Sequence, residues 1–170
     1  MIENIEQLRG PLSEPIGEYI FKTPEGEVSL SDLFGDKRDL LLIHNMGRGC
    51  SYCTMWADGL NGMLPHLEDR AAVVLASPND PQTQRDFAQS RGWRFRMVST
   101  QGSDFNKDMG YEPQPGKVWP GVSAFHKNDD GTIIRTGKDI FGPGDQYNAA
   151  WHMFALLRDG ANGWEPKFEY

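Results

Sequence analysis

The sequence predicts an α/β protein, a three-layer α/β/α sandwich with a central mixed β-sheet and an N-terminal β-hairpin extension. Three observations carry that expectation. Short apolar runs at 39–44, 71–76 and 94–99 alternate with stretches of helical periodicity, the pattern of parallel βαβ units. The turn Asn128-Asp-Asp-Gly131 separates two further extended segments as an antiparallel hairpin. A last helical stretch follows it, so βαβ is completed by ββα.

The elements follow in order. Residues 18–21 and 27–30 flank the turn Thr23-Pro-Glu-Gly26 and read as a hairpin, after which Ser31 caps a short helix ending at Phe34. Asp39-Leu-Leu-Leu-Ile-His44 is nearly all apolar, as a central strand covered on both faces must be. Across 51–69, Met55, Trp56, Leu60, Met63, Leu64 and Leu67 recur at helical spacing, and Gly59, Gly62 and Pro65 predict a kink. A strand at 71–76, a helix at 81–91 opened by Pro81 and a strand at 94–99 come next. The second hairpin joins 121–127 to 132–136. A helix over 145–159 then places Tyr147, Ala150, Trp151, Phe154 and Leu157 on one face, with Gly160 as its stop. At 170 residues the chain suits one domain. It divides into an N-terminal arm (1–17), a body (18–160) and an irregular tail (161–170).

Composition excludes several functions. A net charge of −7 opposes nonspecific binding to nucleic acid, which needs a basic face to displace counterions. No stretch approaches the roughly 20 apolar residues of a membrane span, and residues 1–17 lack the basic start and apolar core of a secretory signal. The expected location is the cytoplasm. There is no nucleotide, haem or flavin motif, so no cofactor is expected.

The chemistry resides in the only two cysteines, Cys50 and Cys53. The segment His44-Asn-Met-Gly-Arg-Gly-Cys-Ser-Tyr-Cys53 runs from the end of the central strand into the first turn of a helix. A thiol there faces unpaired backbone N–H groups and the positive end of the helix dipole, which lowers its pKa below the usual value of about 8.5. Cys50 is therefore the expected nucleophile. Cys53, one turn deeper, is the expected resolving thiol. Arg48 would add positive charge, and Gly47 and Gly49 would let backbone or substrate approach.

Other readings of the pair are a zinc clip completed by two of His44, His66, His126 and His152, or an inert pair in a thioredoxin-fold binding module. A thiol-dependent peroxidase is a further alternative. The leading reading is an enzyme, a thiol–disulfide oxidoreductase acting on a protein or small-molecule thiol or disulfide with an external reductant. Oligomeric state is not legible.

Cys-Ser-Tyr-Cys-Thr-Met-Trp-Ala-Asp-Gly-Leu-Asn-Gly62, followed by His66-Leu67, Gly92-Trp93-Arg-Phe95 and Gly102-Ser-Asp-Phe-Asn106, resembles the bacterial thioredoxin-like family known as domain of unknown function 899. The matching residues span about 40–127, and a cysteine pair running into Trp-Ala-Asp-Gly is far more specific than CxxC alone. Thr23 to Leu33 is similar to the N-terminal hairpin of extended members of the thioredoxin and peroxiredoxin superfamily. The resemblance implies a thioredoxin-like fold. Proteins of that superfamily commonly hold a cis proline where Pro120 stands, beside the thiols, which would leave backbone groups free for an extended substrate; the other reading is an ordinary trans loop proline, and the sequence leaves both open. Gly49 departs from thioredoxin, which has Trp before its first cysteine. The Pro-x-x-x-Thr-x-x-Cys signature of peroxiredoxins is missing.

Trp56 and Asp58 follow the pair closely. Asp58 could move a proton during attack by Cys53, or simply face solvent or cap the bend at Gly59; Trp56 could line the groove or pack. Trp93 and Trp119 are core or groove-rim aromatics. Ser103 to Asn106 either braces the pocket or forms a turn held by Asp104 and Asn106. His44 reads as a satisfied core histidine.

Overall fold

A computed structural model describes residues 12–170 of the chain. Eight strands form one sheet: β1 (Glu14–Ile16), β2 (Ile20–Thr23), β3 (Gly26–Ser29), β4 (Asp39–His44), β5 (Ala72–Ser77), β6 (Arg96–Ser99), β7 (Gly121–Lys127) and β8 (Ile133–Ile140). Their spatial order is β1-β8-β7-β4-β5-β6-β2-β3. Strands β4, β5 and β6 are parallel and the other pairings antiparallel, so the expected mixed sheet is present.

Helices α1 (Ser51–Arg70) and α2 (Pro81–Arg91) make the two crossovers. Because β4, β5 and β6 step across the sheet in one direction, right-handed connections put both helices on one face. There Ile43, Val73 and Leu75 meet Trp56, Leu60, Leu64 and Ala88. Alternate residues Leu40, Leu42, Val74 and Ala76 point to the other face. That face is covered by a 3-10 helix (Ser31–Phe34) and the single turn α3 (Phe105–Asp108), so the third layer is built of short pieces.

Several local details depart from the pattern read in the sequence. Ser31 is the first residue of the 3-10 helix, not its cap; Leu30 holds the cap position without a side-chain bond, and just before it Asp32 N–H donates to Ser29 Oγ at 3.1 Å and Ser29 N–H to the Asp32 carboxylate at 2.9 Å. Helix α1, as read, is one helix that continues through Gly59, Gly62 and Pro65. Pro65 has no N–H for the carbonyl of Asn61, and the Arg94 guanidinium donates to that oxygen instead at 3.3 Å. The helix expected over 145–159 contracts to α4 (Ala149–Phe154). The Asp145 carboxylate draws the preceding backbone into a turn, accepting from Gly142 N at 2.9 Å and Tyr147 N at 2.9 Å, and Asn148 caps what remains.

Of the arm expected over 1–17, residues 1–11 lie outside the described residues. Glu14–Ile16 adds an edge strand, where Pro15, lacking a donor, is tolerated. This short strand orders Arg135, whose buried guanidinium bonds Glu14 Oε2 at 2.6 Å and the Met109 carbonyl at 2.8 Å. Among the described residues no helix is long and apolar enough to cross a membrane.

Candidate active site

Strand β4 ends at His44, paired with Ala76 of β5 on one side and Gly121 of β7 on the other. The chain then makes a tight passage into α1. Asn45 continues the ladder through its N–H to the Ala76 carbonyl at 2.9 Å, while its side-chain oxygen accepts from Gly47 N at 2.8 Å. Asn79, in the loop after β5, accepts from Arg48 N at 2.8 Å. A Cβ on Gly47 would stand 2.6 Å from that Asn79 oxygen, and Gly47 has φ +105°, so both space and backbone conformation require glycine. Gly49 has open space where a side chain would go.

Cys50 has extended backbone and is the N-cap of α1. Its sulfur accepts from Cys53 N–H at 3.1 Å, and its carbonyl accepts from Thr54 N at 3.1 Å and Thr54 Oγ1 at 2.9 Å. Both cysteines are free thiols, Cys50 half-buried and Cys53 buried. Hydrogen bonding from the Cys53 side chain, reinforced by the N–H groups of Cys53 and Tyr52, outweighs burial and brings Cys50 down to about 7. Cys53 is pushed strongly upward by its bond to Cys50, by burial and by the Cys50 charge. Two like groups so close divide their acidity, one thiolate forming at the expense of the other. Met46 completes the cluster. Its N–H donates to Cys53 Sγ at 3.4 Å and its Sδ lies 3.9 Å from Cys50 Sγ.

The other residues singled out in the sequence occupy varied positions. The exposed Arg48 side chain lines a shallow depression of about 310 Å³ with Phe87, Ser90, Arg91, Phe168 and Glu169. The lowered Cys50 pKa therefore comes from Cys53 and the helix start. Trp56 is buried, with its ring 5.4 Å from Phe141 and Nε1 donating to Asp145 Oδ1 at 3.3 Å. Asp58 binds Trp93 Nε1 at 2.7 Å and the Arg91 guanidinium, tying α1 to the end of α2. Trp119 is exposed, and the His44–Gly121 pairing puts Pro120 just before the start of β7, beside the end of β4 from which the 45–50 loop departs. No cis peptide occurs among the described residues, so of the two readings of Pro120 the trans loop proline is the one present. Trp119 N–H is held by the Tyr111 carbonyl at 2.7 Å and the Pro120 carbonyl accepts from Phe141 N at 2.9 Å, which carries a trans bond smoothly into β7.

Among the described residues no three His, Cys, Asp or Glu side chains converge as metal ligands do. His126 is held by Asp39 at 2.7 Å. His44 is stacked 3.7 Å from the Tyr111 ring in the core, its Nε2 2.9 Å from Ser123 Oγ, while its Nδ1 has no hydrogen-bond partner among the described residues. Asn45, Met46 and Asn79 were not singled out from sequence. For Asn79 the signal was its place after a parallel strand, where loops gather round sites in such sheets. Met46 carried none, because its role depends on a tertiary sulfur contact.

Among solved structures, the fold is similar to peroxidoxin BcpB from Mycobacterium tuberculosis, at 19% identity, TM-score 0.60, covering 82% of this chain and 90% of that one. A peroxiredoxin-like protein from Aquifex aeolicus aligns with TM-score 0.57 and 15% identity over 78% of this chain and 79% of its own. A thiol:disulfide interchange protein from Bacteroides sp. aligns with TM-score 0.60 and 17% identity over 88% and 93%. These likenesses establish the thioredoxin-like fold. No curated protein matches the sequence. The match that runs nearly the whole length, over residues 6–165, is to the bacterial proteins of unknown function grouped as DUF899, and the chain belongs to that family.

Proposed function

We propose that the protein is a thiol–disulfide oxidoreductase in which Cys50 is the nucleophile and Cys53 the resolving thiol. The observation that supports this best is the Cys53 N–H bond to Cys50 Sγ at 3.1 Å, which makes the more exposed thiol the helix cap and the more acidic of the two. The Cys50 thiolate attacks a disulfide sulfur, an S–S bond forms, and the departing thiolate takes a proton from solvent. Cys53 is held protonated in the resting pair chiefly through Cys50. Once Cys50 is neutral in the mixed disulfide, that bond and that charge are gone and Cys53 ionises more readily. Met46 N–H then supports its thiolate. Attack by Cys53 on Cys50 releases the reduced substrate, leaving a disulfide that an external dithiol must reduce.

The substrate class is a protein or small-molecule disulfide, and a reducing, cytoplasmic setting suits two free thiols. The test is to equilibrate the protein in graded glutathione buffers, trap free thiols and read the potential, with Cys50→Ser as control. A reversible two-electron transition between about −120 and −270 mV agrees with exchange. Failure of any intramolecular disulfide to form removes the reading and leaves a thioredoxin-fold binding module in its place.

A second reading, a thiol-dependent peroxidase, draws on the peroxidoxin and peroxiredoxin-like neighbours. Peroxide loss in the presence of dithiol, dependent on Cys50, separates it from exchange alone.

A further inference from the structure

Three sulfurs meet at the start of α1. Besides the two thiols there is Met46, whose Sδ lies 3.9 Å from Cys50 Sγ and whose N–H donates to Cys53 Sγ at 3.4 Å. The backbone on either side is fixed: Asn45 is tied to β5 and to Gly47, and Arg48 N–H is held by Asn79. Yet Met46 is 42% exposed, an exposed methionine like Met63 at 46% and Met153 at 62%. An exposed thioether is readily oxidised to its sulfoxide. Met63 and Met153 share that liability but have no thiol within bonding distance. At Met46 the sulfoxide would form against a nucleophile already in place, where an intramolecular reaction needs no encounter.

We propose that the Cys50–Cys53 pair reduces methionine sulfoxide, and that Met46 of the same chain is its built-in substrate, capturing oxidant and passing it to the thiols. A peroxide first transfers one oxygen atom to Met46 Sδ. The Cys50 thiolate attacks the sulfoxide group and a proton is taken up. The S–O bond of Met46 breaks, and the oxygen ends on Cys50 as a sulfenic acid, with the thioether restored. The Cys53 thiol then attacks the Cys50 sulfur, an S–S bond forms and water leaves. Two thiols supply the two electrons that reduce one sulfoxide. This rests on the redox reading of the pair but adds a substrate class that disulfide exchange does not imply.

The experiment begins with the disulfide form, so that hydrogen peroxide oxidises methionines while the cysteines are protected. Dithiothreitol is then added, and the sulfoxides of Met46, Met63 and Met153 are followed by peptide mass. The expected result is loss of the Met46 sulfoxide at least tenfold faster than the other two. In Cys50→Ser, similarly oxidised, Met46 should fall to their rate; serine is itself a preferred N-cap, so this variant should fold. Equal persistence at all three positions, or fast loss in Cys50→Ser as well, overturns the proposal. Cleavage of a small aromatic disulfide by the same sample shows whether exchange survives that outcome. If exchange is retained, only the sulfoxide activity is removed. If it too is absent, both readings fall.

Discussion

Cys53 N–H donates to Cys50 Sγ at 3.1 Å, so the proposed nucleophile is also the N-cap of the helix that carries its partner. Structure and reactivity thus share one atom. Cys50→Ser keeps a side-chain acceptor, whereas Cys50→Ala loses it at a cost of about 1 kcal/mol. Urea denaturation of the reduced proteins is expected to show that Ala-specific loss, while disulfide exchange vanishes in both. Equal stability of the two variants would show that the cap contributes nothing.

Titration of the pair is expected to show the same coupling. Alkylation of Cys50 by iodoacetamide should rise through a transition near pH 7, and in Cys53→Ala, which removes the leading cause of the shift, that transition should move upward. The effect on stability follows from the sign of each shift. A thiol lowered from about 9 to about 7 on folding stabilises the protein fully above pH 9 and loses that contribution as pH falls through 7. Cys53, raised on folding, acts oppositely once pH exceeds about 9. The reduced protein should therefore gain stability between pH 7 and 9 relative to Cys50→Ser; a pH-independent difference would contradict the lowered Cys50 value.

Asp58 is close to the pair in sequence but has partners of its own. It lies five residues beyond Cys53, but its oxygens are committed to Trp93 Nε1 and Arg91. Asp58→Ala is expected to cost about 1–3 kcal/mol by stranding the Trp93 donor, which is partly buried. The pH–rate profile of exchange should stay unchanged. A shifted profile at unaltered stability would restore a proton-transfer role.

The contrast between Asp58 and Cys50 marks what the sequence could convey. Residues 39–44 and 121–127 were legible as strands because burial on the sheet leaves a run or an alternation that only tertiary context could disguise. The thiol pair was legible because strand, glycines and helix start lie within ten residues. Strand β1 was not, since three residues with a central proline carry no period, and its pairing depends on β8, over a hundred residues away. Nor was the shortened α4, where the Asp145 carboxylate competes for backbone donors that periodicity alone assigns to a helix. Met46, Asn79 and the Asp58 pairings belong to the same class, being contacts between segments whose local sequences are silent about each other.

His44 should make the fold acid-sensitive. Burial, then the nearby Arg135 charge, lowers it from 6.5 to about 3. The unfolded chain accordingly binds a proton at mildly acidic pH that the folded core refuses. Stability from this group is full above about pH 6.5 and is lost progressively as pH falls toward 3. Between pH 7 and 5 the loss should be about 2 kcal/mol. Denaturation midpoints of wild type and His44→Leu across that range check it, the variant losing this part of the slope whatever its absolute stability. An identical slope in both would mean that the imidazole is protonated in the fold.

Gly47 and Gly49 flank Arg48 and are alike in sequence, but the space around them differs. A Cβ at position 47 would meet Asn79 Oδ1 at 2.6 Å on a backbone of φ +105°, while one at position 49 meets nothing. Gly47→Ala is expected to cost about 1–3 kcal/mol, the order of strain for a non-glycine residue in such a conformation. It should also displace Asn79 and release the Arg48 N–H it holds. Because Cys50 N–H bonds the Gly47 carbonyl at 3.2 Å, that displacement reaches Cys50, and its alkylation rate should change with it. Gly49→Ala should leave both stability and alkylation within error. If the two substitutions behave alike, the loop is not held by Asn79 and the thiol pair is positioned by α1 alone.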